Sequence, residues 1–208
     1  MDLGLSAVCA AVFGYLLGSM PFAVIVSWAF GLADPRTVGS GNPGATNVLR
    51  SGNKLAALLT LVGDAAKGAL AMFIVSSFGA EVWLRVTPLV IVIAGVAAFM
   101  GHVFPFTLGF KGGKGVATAV GVLLMFSPAM GAAVIGVWLV AVALTRYSSL
   151  GALIAAVVAP VIAWLFLHDT TMVIATSLMA AVLILRHKAN ITNLLAGTEG
   201  RIGAKKTS

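Results

Sequence analysis

Charge is what this chain has least of. Of 208 residues, only 9% are Asp, Glu, Lys or Arg, and only six are acidic. A soluble domain carries roughly 25% of these residues, so nothing here could coat a water-soluble globule of this size. With 60% hydrophobic residues and a mean hydropathy of +1.08, the chain reads as an integral membrane protein. Cysteine is nearly missing: Cys9 stands alone in an apolar run. That excludes an intramolecular disulfide, and no Cys/His cluster suggests a metal or other cofactor. No basic segment precedes Ser6-Ala-Val-Cys9, so a retained helix is expected rather than a lipoprotein signal or a cleaved signal peptide. Internal repeats, frequent in transporters, are lacking. The net charge of +7 gathers in a few inter-helix segments and near the C-terminal end. It is not spread as a nucleic-acid footprint, and no nucleic-acid partner is expected.

What is present is a series of apolar runs. A helix crossing about 30 Å of hydrocarbon needs about 17–25 residues. Runs of adequate length cover about 3–30, with Pro21 placed to kink it, then 55–79, 87–106, 149–167 and 170–186. The stretch 116–144 is long enough for one tilted helix, but Ser127-Pro128 near its middle reads as a helix break. Charge decides between six spans and seven. With seven spans and the N-terminus outside, Arg36, Arg50, Lys54, Lys111, Lys114, Arg146, Arg186, Lys188, Arg201, Lys205 and Lys206 all lie inside, and only Arg85 lies outside. The positive-inside rule selects that arrangement. The expected fold class is therefore an all-α membrane protein of seven transmembrane helices, N-terminus out and C-terminus cytoplasmic, forming a single polytopic domain over 1–208.

Two glycine-rich, basic stretches interrupt the hydrocarbon: Gly39-Ser-Gly-Asn-Pro-Gly-Ala-Thr-Asn47 and Gly109-Phe-Lys-Gly-Gly-Lys-Gly115. Glycine lets backbone amides crowd around an anion, and a neighbouring lysine or arginine supplies charge. In the first, Ser40, Gly41, Asn42, Thr46 and Asn47 offer donors or close approach, and Arg50 can grip a phosphate bidentately. An ordinary turn-rich loop has much the same composition. In the second, Gly112, Gly113, Lys114 and Gly115 form a candidate anion nest opening a helix at Val116. It is not the ATPase phosphate loop, because Leu108 stands where the first glycine is required and Gly115 follows the lysine. A basic topological loop is the alternative. Charge placement puts both stretches on one face.

Asp64 and Lys67 lie at i, i+3 inside a span, where ionisable groups are costly and face a polar interior; they read as a structural pair supporting the loops. His102 reads as a hydrogen-bonded structural histidine. His187 and Asn190 share a face if the last helix continues, although a snorkelling basic collar is the alternative. Gly14 with Gly18, and Gly131 with Gly136, read as helix-packing contacts.

Five pieces together, Gly39–Asn47 with Arg50, Asp64-Ala-Ala-Lys-Gly68, Gly101-His102, Phe110–Thr118, and Arg186-His187 through Asn190 to Gly197-Thr-Glu199, resemble the bacterial acyl-phosphate-dependent glycerol-3-phosphate acyltransferases, the PlsY family. They occur in the family's order across nearly the whole chain. Asn193 departs from the family pattern, which has a basic residue there, so no phosphate contact is assigned to it. The resemblance implies a seven-span enzyme of the bacterial inner membrane with a cytoplasmic-side site that needs no cofactor. It would transfer a fatty acyl group from acyl phosphate to the 1-hydroxyl of sn-glycerol 3-phosphate, giving 1-acylglycerol 3-phosphate and phosphate. The expected partners are those two small molecules, membrane lipid, and the soluble enzyme that makes acyl phosphate. The expected mechanism is direct attack by the glycerol hydroxyl. Ser40, Lys114 and the Gly112–Gly115 nest would hold the leaving phosphate, and Arg50, His187 and Asn190 would orient glycerol 3-phosphate. Gly41, Asn42, Thr46, Asn47 and Glu199 complete the expected substrate contacts. A substrate phosphate oxygen takes the proton in one version; His187 is the general base in the other.

Overall fold

The computed structural model describes residues 1–82 and 84–203, and every regular element among them is helical. Lys205 and Lys206, expected on the inner face, lie outside the described residues. The helices are α1 (Leu3–Gly18), α2 (Phe22–Ala29), α3 (Ala45–Leu49), α4 (Lys54–Phe78), α5 (Pro88–Val103), α6 (Val116–Phe126), α7 (Pro128–Thr145), α8 (Ser148–Leu167), α9 (Thr170–Arg186) and α10 (Lys188–Leu195). Their starts follow the rule that a side-chain oxygen satisfies an orphan N–H in the first turn. Asp2, Asn53, Thr87, Ser127 and Asp169 each accept from the amide three residues on. Ser127 caps α7 and Pro128 occupies its first position, so the break expected in the long 116–144 stretch is found there.

The chain forms two compact units, Met1–Phe126 and from Ser127 onward. In the first, α1 lies against α5, and α4 packs on α5 and α6. Glycine sets the closest approaches: a Cβ at Gly14 or Gly18 would meet the carbonyls of Ala94 or Ala98, and one at Gly101 would meet the carbonyl of Tyr15. Gly68 and Gly121 serve α4 and α6 in the same way, against the carbonyls of Thr118 and Ala65. Small residues let helix backbones approach where lipid gives no hydrophobic push between helices. In the second unit α8 packs on both α7 and α9, with Trp138 Nε1 donating to Ser148 O (3.2 Å). Gly136, expected as a packing contact, makes none: a Cβ there would meet nothing within 4 Å. Outward-facing Leu144, Val157, Val161 and Leu165 are 61–80% exposed, as suits a lipid-facing surface.

The first apolar run is two helices. It breaks at Ser19-Met20-Pro21, where proline cannot donate an amide, and side chains from elsewhere take up the carbonyls there. Thr107 Oγ1 donates to Ser19 O (2.6 Å) and Lys67 Nζ to Met20 O (2.9 Å). Among the described residues five helical stretches are long and apolar enough to cross a membrane, and Thr170–Arg186 makes a sixth when joined to Lys188–Leu195 across a 58° bend. The remaining apolar helix, Val116–Phe126, has 11 residues, about 17 Å of helix at 1.5 Å per residue. Gly18→Leu is expected to lower stability in detergent by about 1–3 kcal/mol, as overpacking does. Gly136→Leu should leave it within about 0.5 kcal/mol; thermal unfolding of both variants checks the contrast.

Candidate active site

The first glycine-rich stretch is a folded loop. Asp34 pairs with Arg36 (2.6 Å), and hydrogen bonds from the Arg36 side chain hold the Asp34 carboxyl below its ordinary range. Gly39 and Gly41 adopt φ of +60° and +67°, conformations that favour glycine. Asn47 is the staple. Buried to 3% exposure, its side chain accepts from Ser40 N (3.0 Å) and donates to Pro35 O (2.6 Å) and Val38 O (3.0 Å). Both its amide hydrogens are thereby engaged, which makes Asn47 the loop's organiser in place of the expected phosphate donor. Val48 packs with Ala23, Ala56 and Ala57 beneath α3. Ser40, Thr46 and Arg50 are left exposed on top, with Asn42 half-buried.

The second stretch folds back onto the end of α5. Gly112 N donates to Val103 O (3.2 Å) and Gly113 N to His102 O (3.1 Å), satisfying carbonyls that a helix end leaves open. The expected nest therefore has fewer amides to offer, because those of Gly112 and Gly113 serve as a cap. Their glycine identity answers a different need. A Cβ at Gly112 would strike the His102 carbonyl, one at Gly113 the His102 ring, and one at Gly115, which has φ +87°, the Phe99 ring. Lys114, half-buried, stands between these tightly packed positions, and α6 begins two residues later.

Beneath both loops lies a buried ionic cluster. Asp64 Oδ1 is 3.0 Å from Lys67 Nζ and 3.3 Å from His102 Nδ1, and the three residues are 2–7% exposed. Lys67 also faces the Phe22 ring at 6.0 Å. The expected Asp64–Lys67 pair is present, and His102 joins it; residues 38 positions apart give no sequence signal for that contact. These three, with Pro43 from the first loop and Gly112 and Gly113 from the second, line one crevice, which has room for about a single water molecule. The two loops thus meet at one place in the first unit.

In the second unit, the last helix does not run straight through the expected His187/Asn190 face. It bends at His187, which ends α9 and precedes α10. His187 is 2% exposed, and its Nδ1 lies 2.8 Å from Leu183 O. Asn190 Nδ2 donates to Glu199 Oε1 (2.7 Å), and Ser149 Oγ donates to the same oxygen (2.6 Å). Glu199, expected among the substrate contacts, bridges α8 and α10 through these two bonds. Ser149 was not anticipated, since serine in a first helical turn reads as a cap.

The profile of the glycerol-3-phosphate acyltransferase family matches residues 8–197. The chain is 54% identical over 204 residues to the glycerol-3-phosphate acyltransferase of Laribacter hongkongensis strain HLHK9, covering 98% of this chain and all of that one. It is 54% identical to that of Paraburkholderia phymatum, covering 94% and 92%. The chain belongs to the glycerol-3-phosphate acyltransferase family. Its fold matches the crystal structure of PlsY (YgiH), an integral membrane glycerol 3-phosphate acyltransferase, in its glycerol 3-phosphate form, with TM-score 0.85 and 38% identity over 95% of this chain and 96% of that one. The lysophosphatidic acid form matches with TM-score 0.84 and 36% identity, over the same shares of both chains.

The protein is thus an integral membrane acyltransferase of the PlsY type, acting in phospholipid synthesis on glycerol 3-phosphate. The buried ionic cluster of Asp64, Lys67 and His102 lies where the two glycine-rich loops meet. Removing one member of a buried pair strands a charge and costs about 3–5 kcal/mol. Lys67→Met and Asp64→Asn are each expected to destabilise on that scale. The double variant should cost less than the sum, as denaturant unfolding of all three would show.

Proposed function

We propose that the protein transfers a fatty acyl group from acyl phosphate to the 1-hydroxyl of sn-glycerol 3-phosphate, giving 1-acyl-sn-glycerol 3-phosphate and phosphate. The observation that carries this reading is the meeting of the two loops: Pro43 of one and Gly112 and Gly113 of the other line a single crevice. Two phosphorylated substrates need two adjoining anion subsites, and each loop brings a cation, Arg50 and Lys114. Support for the acceptor and product comes from the solved relatives, one in a glycerol 3-phosphate form and one in a lysophosphatidic acid form.

The glycerol hydroxyl oxygen attacks the acyl carbonyl carbon, and the bond from that carbon to the phosphate ester oxygen breaks. The hydroxyl proton passes to a phosphate oxygen, which departs as hydrogen phosphate. Acyl phosphate is a mixed anhydride and already activated. Lys114 and Ser40 steady the leaving phosphate, helped by the electropositive start of α6. Arg50, His187 and Asn190 orient glycerol 3-phosphate, and Gly41, Asn42 and Thr46 contribute further substrate contacts. His187 as general base is the second version, and one observation favours it. With Nδ1–H donating to Leu183 O, a neutral ring presents Nε2 as an acceptor.

The protein works as one polytopic domain in the bacterial cytoplasmic membrane, with seven crossings, N-terminus out and C-terminus in, so that the site faces the cytoplasm. Support for this orientation is the concentration of Lys and Arg in alternate connections. Acyl phosphate comes from a soluble synthesising enzyme.

Release of inorganic phosphate by the detergent-solubilised protein from acyl phosphate plus glycerol 3-phosphate tests the reaction. Lys114→Ala and Arg50→Ala should each cut kcat/KM by about 10²-fold or more, the scale of losing one preorganised charge contact; full activity in both would remove the anion subsites. For the proton, His187→Gln should keep the shape of the pH–rate profile. Loss of a limb near neutrality would assign the base to His187.

A further inference from the structure

Beyond Asn190 the chain turns back over its own unit, and its contacts there are too specific for a mere topological tail. Ile202 N donates to Arg146 O (2.8 Å), and the Arg146 guanidinium donates in return to Ile202 O, Nη2 at 2.8 Å and Nε at 3.2 Å. One residue earlier, Arg201 Nε donates to Tyr147 Oη (3.0 Å), and its guanidinium lies 5.1 Å from the centre of that ring. Two residues earlier still, Glu199 Oε1 receives both Ser149 Oγ and Asn190 Nδ2. Positions 199, 201 and 202 thus engage 149, 147 and 146 in reverse order. The segment runs antiparallel across the two-residue corner between α7 and α8. Arg146 itself adopts φ +63°, a sparsely populated conformation for a side-chain-bearing residue. That conformation ends α7, and both its carbonyl and its guanidinium are held by Ile202.

We propose that residues 199–203 form a clasp on the α7–α8 corner, in which Arg201 and Tyr147 are positioning residues that hold Asn190 in its substrate-orienting pose through Glu199. The Glu199 carboxylate accepts from both neighbours at once. Ser149 fixes it from one side, and the backbone two residues on is locked by Arg201 and Arg146. With the lock closed, the carboxylate pins the Asn190 amide and fixes which way it presents its carbonyl oxygen. With the lock open, Glu199 is free to leave, and Asn190 loses this restraint on its amide. The contact between Arg201 and Tyr147 is exposed, so its worth lies in geometry more than in stability.

This inference rests on the proposed role of Asn190, and the experiment separates the two. Arg201→Ala, Tyr147→Phe, their double variant, Arg201→Lys and Asn190→Ala are compared in the full-length protein by phosphate release and thermal unfolding. Arg201→Ala should raise KM for glycerol 3-phosphate about three- to ten-fold, the range of one net hydrogen bond. KM for acyl phosphate and the unfolding temperature should stay put. Tyr147→Phe should act likewise, the double variant should be no worse than the stronger single, and Arg201→Lys should recover part of the loss. If Asn190→Ala weakens glycerol 3-phosphate kinetics while Arg201→Ala does not, the clasp is wrong and the site reading stands. If Asn190→Ala changes nothing, that reading fails for Asn190 and the clasp falls with it. Additive effects in the double variant, or losses shared equally by both substrates, also overturn it.

Discussion

A single carboxylate, that of Asp64, ties the first unit together. In hydrocarbon each backbone polar group must find a partner inside the protein, and this chain breaks its first apolar run at Ser19–Pro21. Lys67 serves the break by donating to Met20 O, and Asp64 balances the charge of Lys67. The same oxygen of Asp64 faces His102, whose carbonyl and ring hold Gly113. One buried acid therefore links the broken helix to the loop that carries Lys114. Take it away and the buried Lys67 loses its counter-ion and His102 its carboxylate partner.

The glycines of that loop are often read as amide donors for phosphate, and here most of their value is steric. Gly112 and Gly113 spend their N–H groups on the end of α5, and their missing side chains make room for His102. In the proposed reaction, rigidity is what the loop contributes. A cation next to a locked backbone meets a phosphate without reorganising, which is where electrostatic catalysis gains most. Asn47 does the same for the first loop, converting a run of turn formers into a fixed platform beneath Ser40 and Arg50.

Much of this is legible in the sequence. Composition was enough for the membrane, because so few charges leave no other solvent. Ser127-Pro128 marks a helix break because proline disfavours helix at the residue before it, and Gly14 with Gly18 announces close helix packing. Asp64 and Lys67 were readable as a pair because a charge within a span demands one. Other features depend on tertiary contact and left no local trace. The addition of His102 to the pair joins separate helices. The short helix Ala45–Leu49 hid among turn formers, since its stability comes from Val48 packing below it. The contacts of Glu199 with Ser149 and Asn190 likewise join separate elements. Gly136 shows the converse: small size by itself does not make a contact.

The second unit follows the same logic with weaker forces. Its bend at His187 is held by a backbone carbonyl, and its tail is fastened by Glu199 between two neutral donors and by arginines acting on a carbonyl and a phenol. Both units use side chains to finish what a broken or ended helix leaves open. Central to the proposed reaction is simultaneous occupancy of two anion subsites. Equilibrium binding of labelled glycerol 3-phosphate to the intact protein, with and without saturating non-hydrolysable acyl phosphonate, measures it directly. The account predicts saturable binding at one site per chain, undiminished by the phosphonate; mutual exclusion of the two ligands would contradict it.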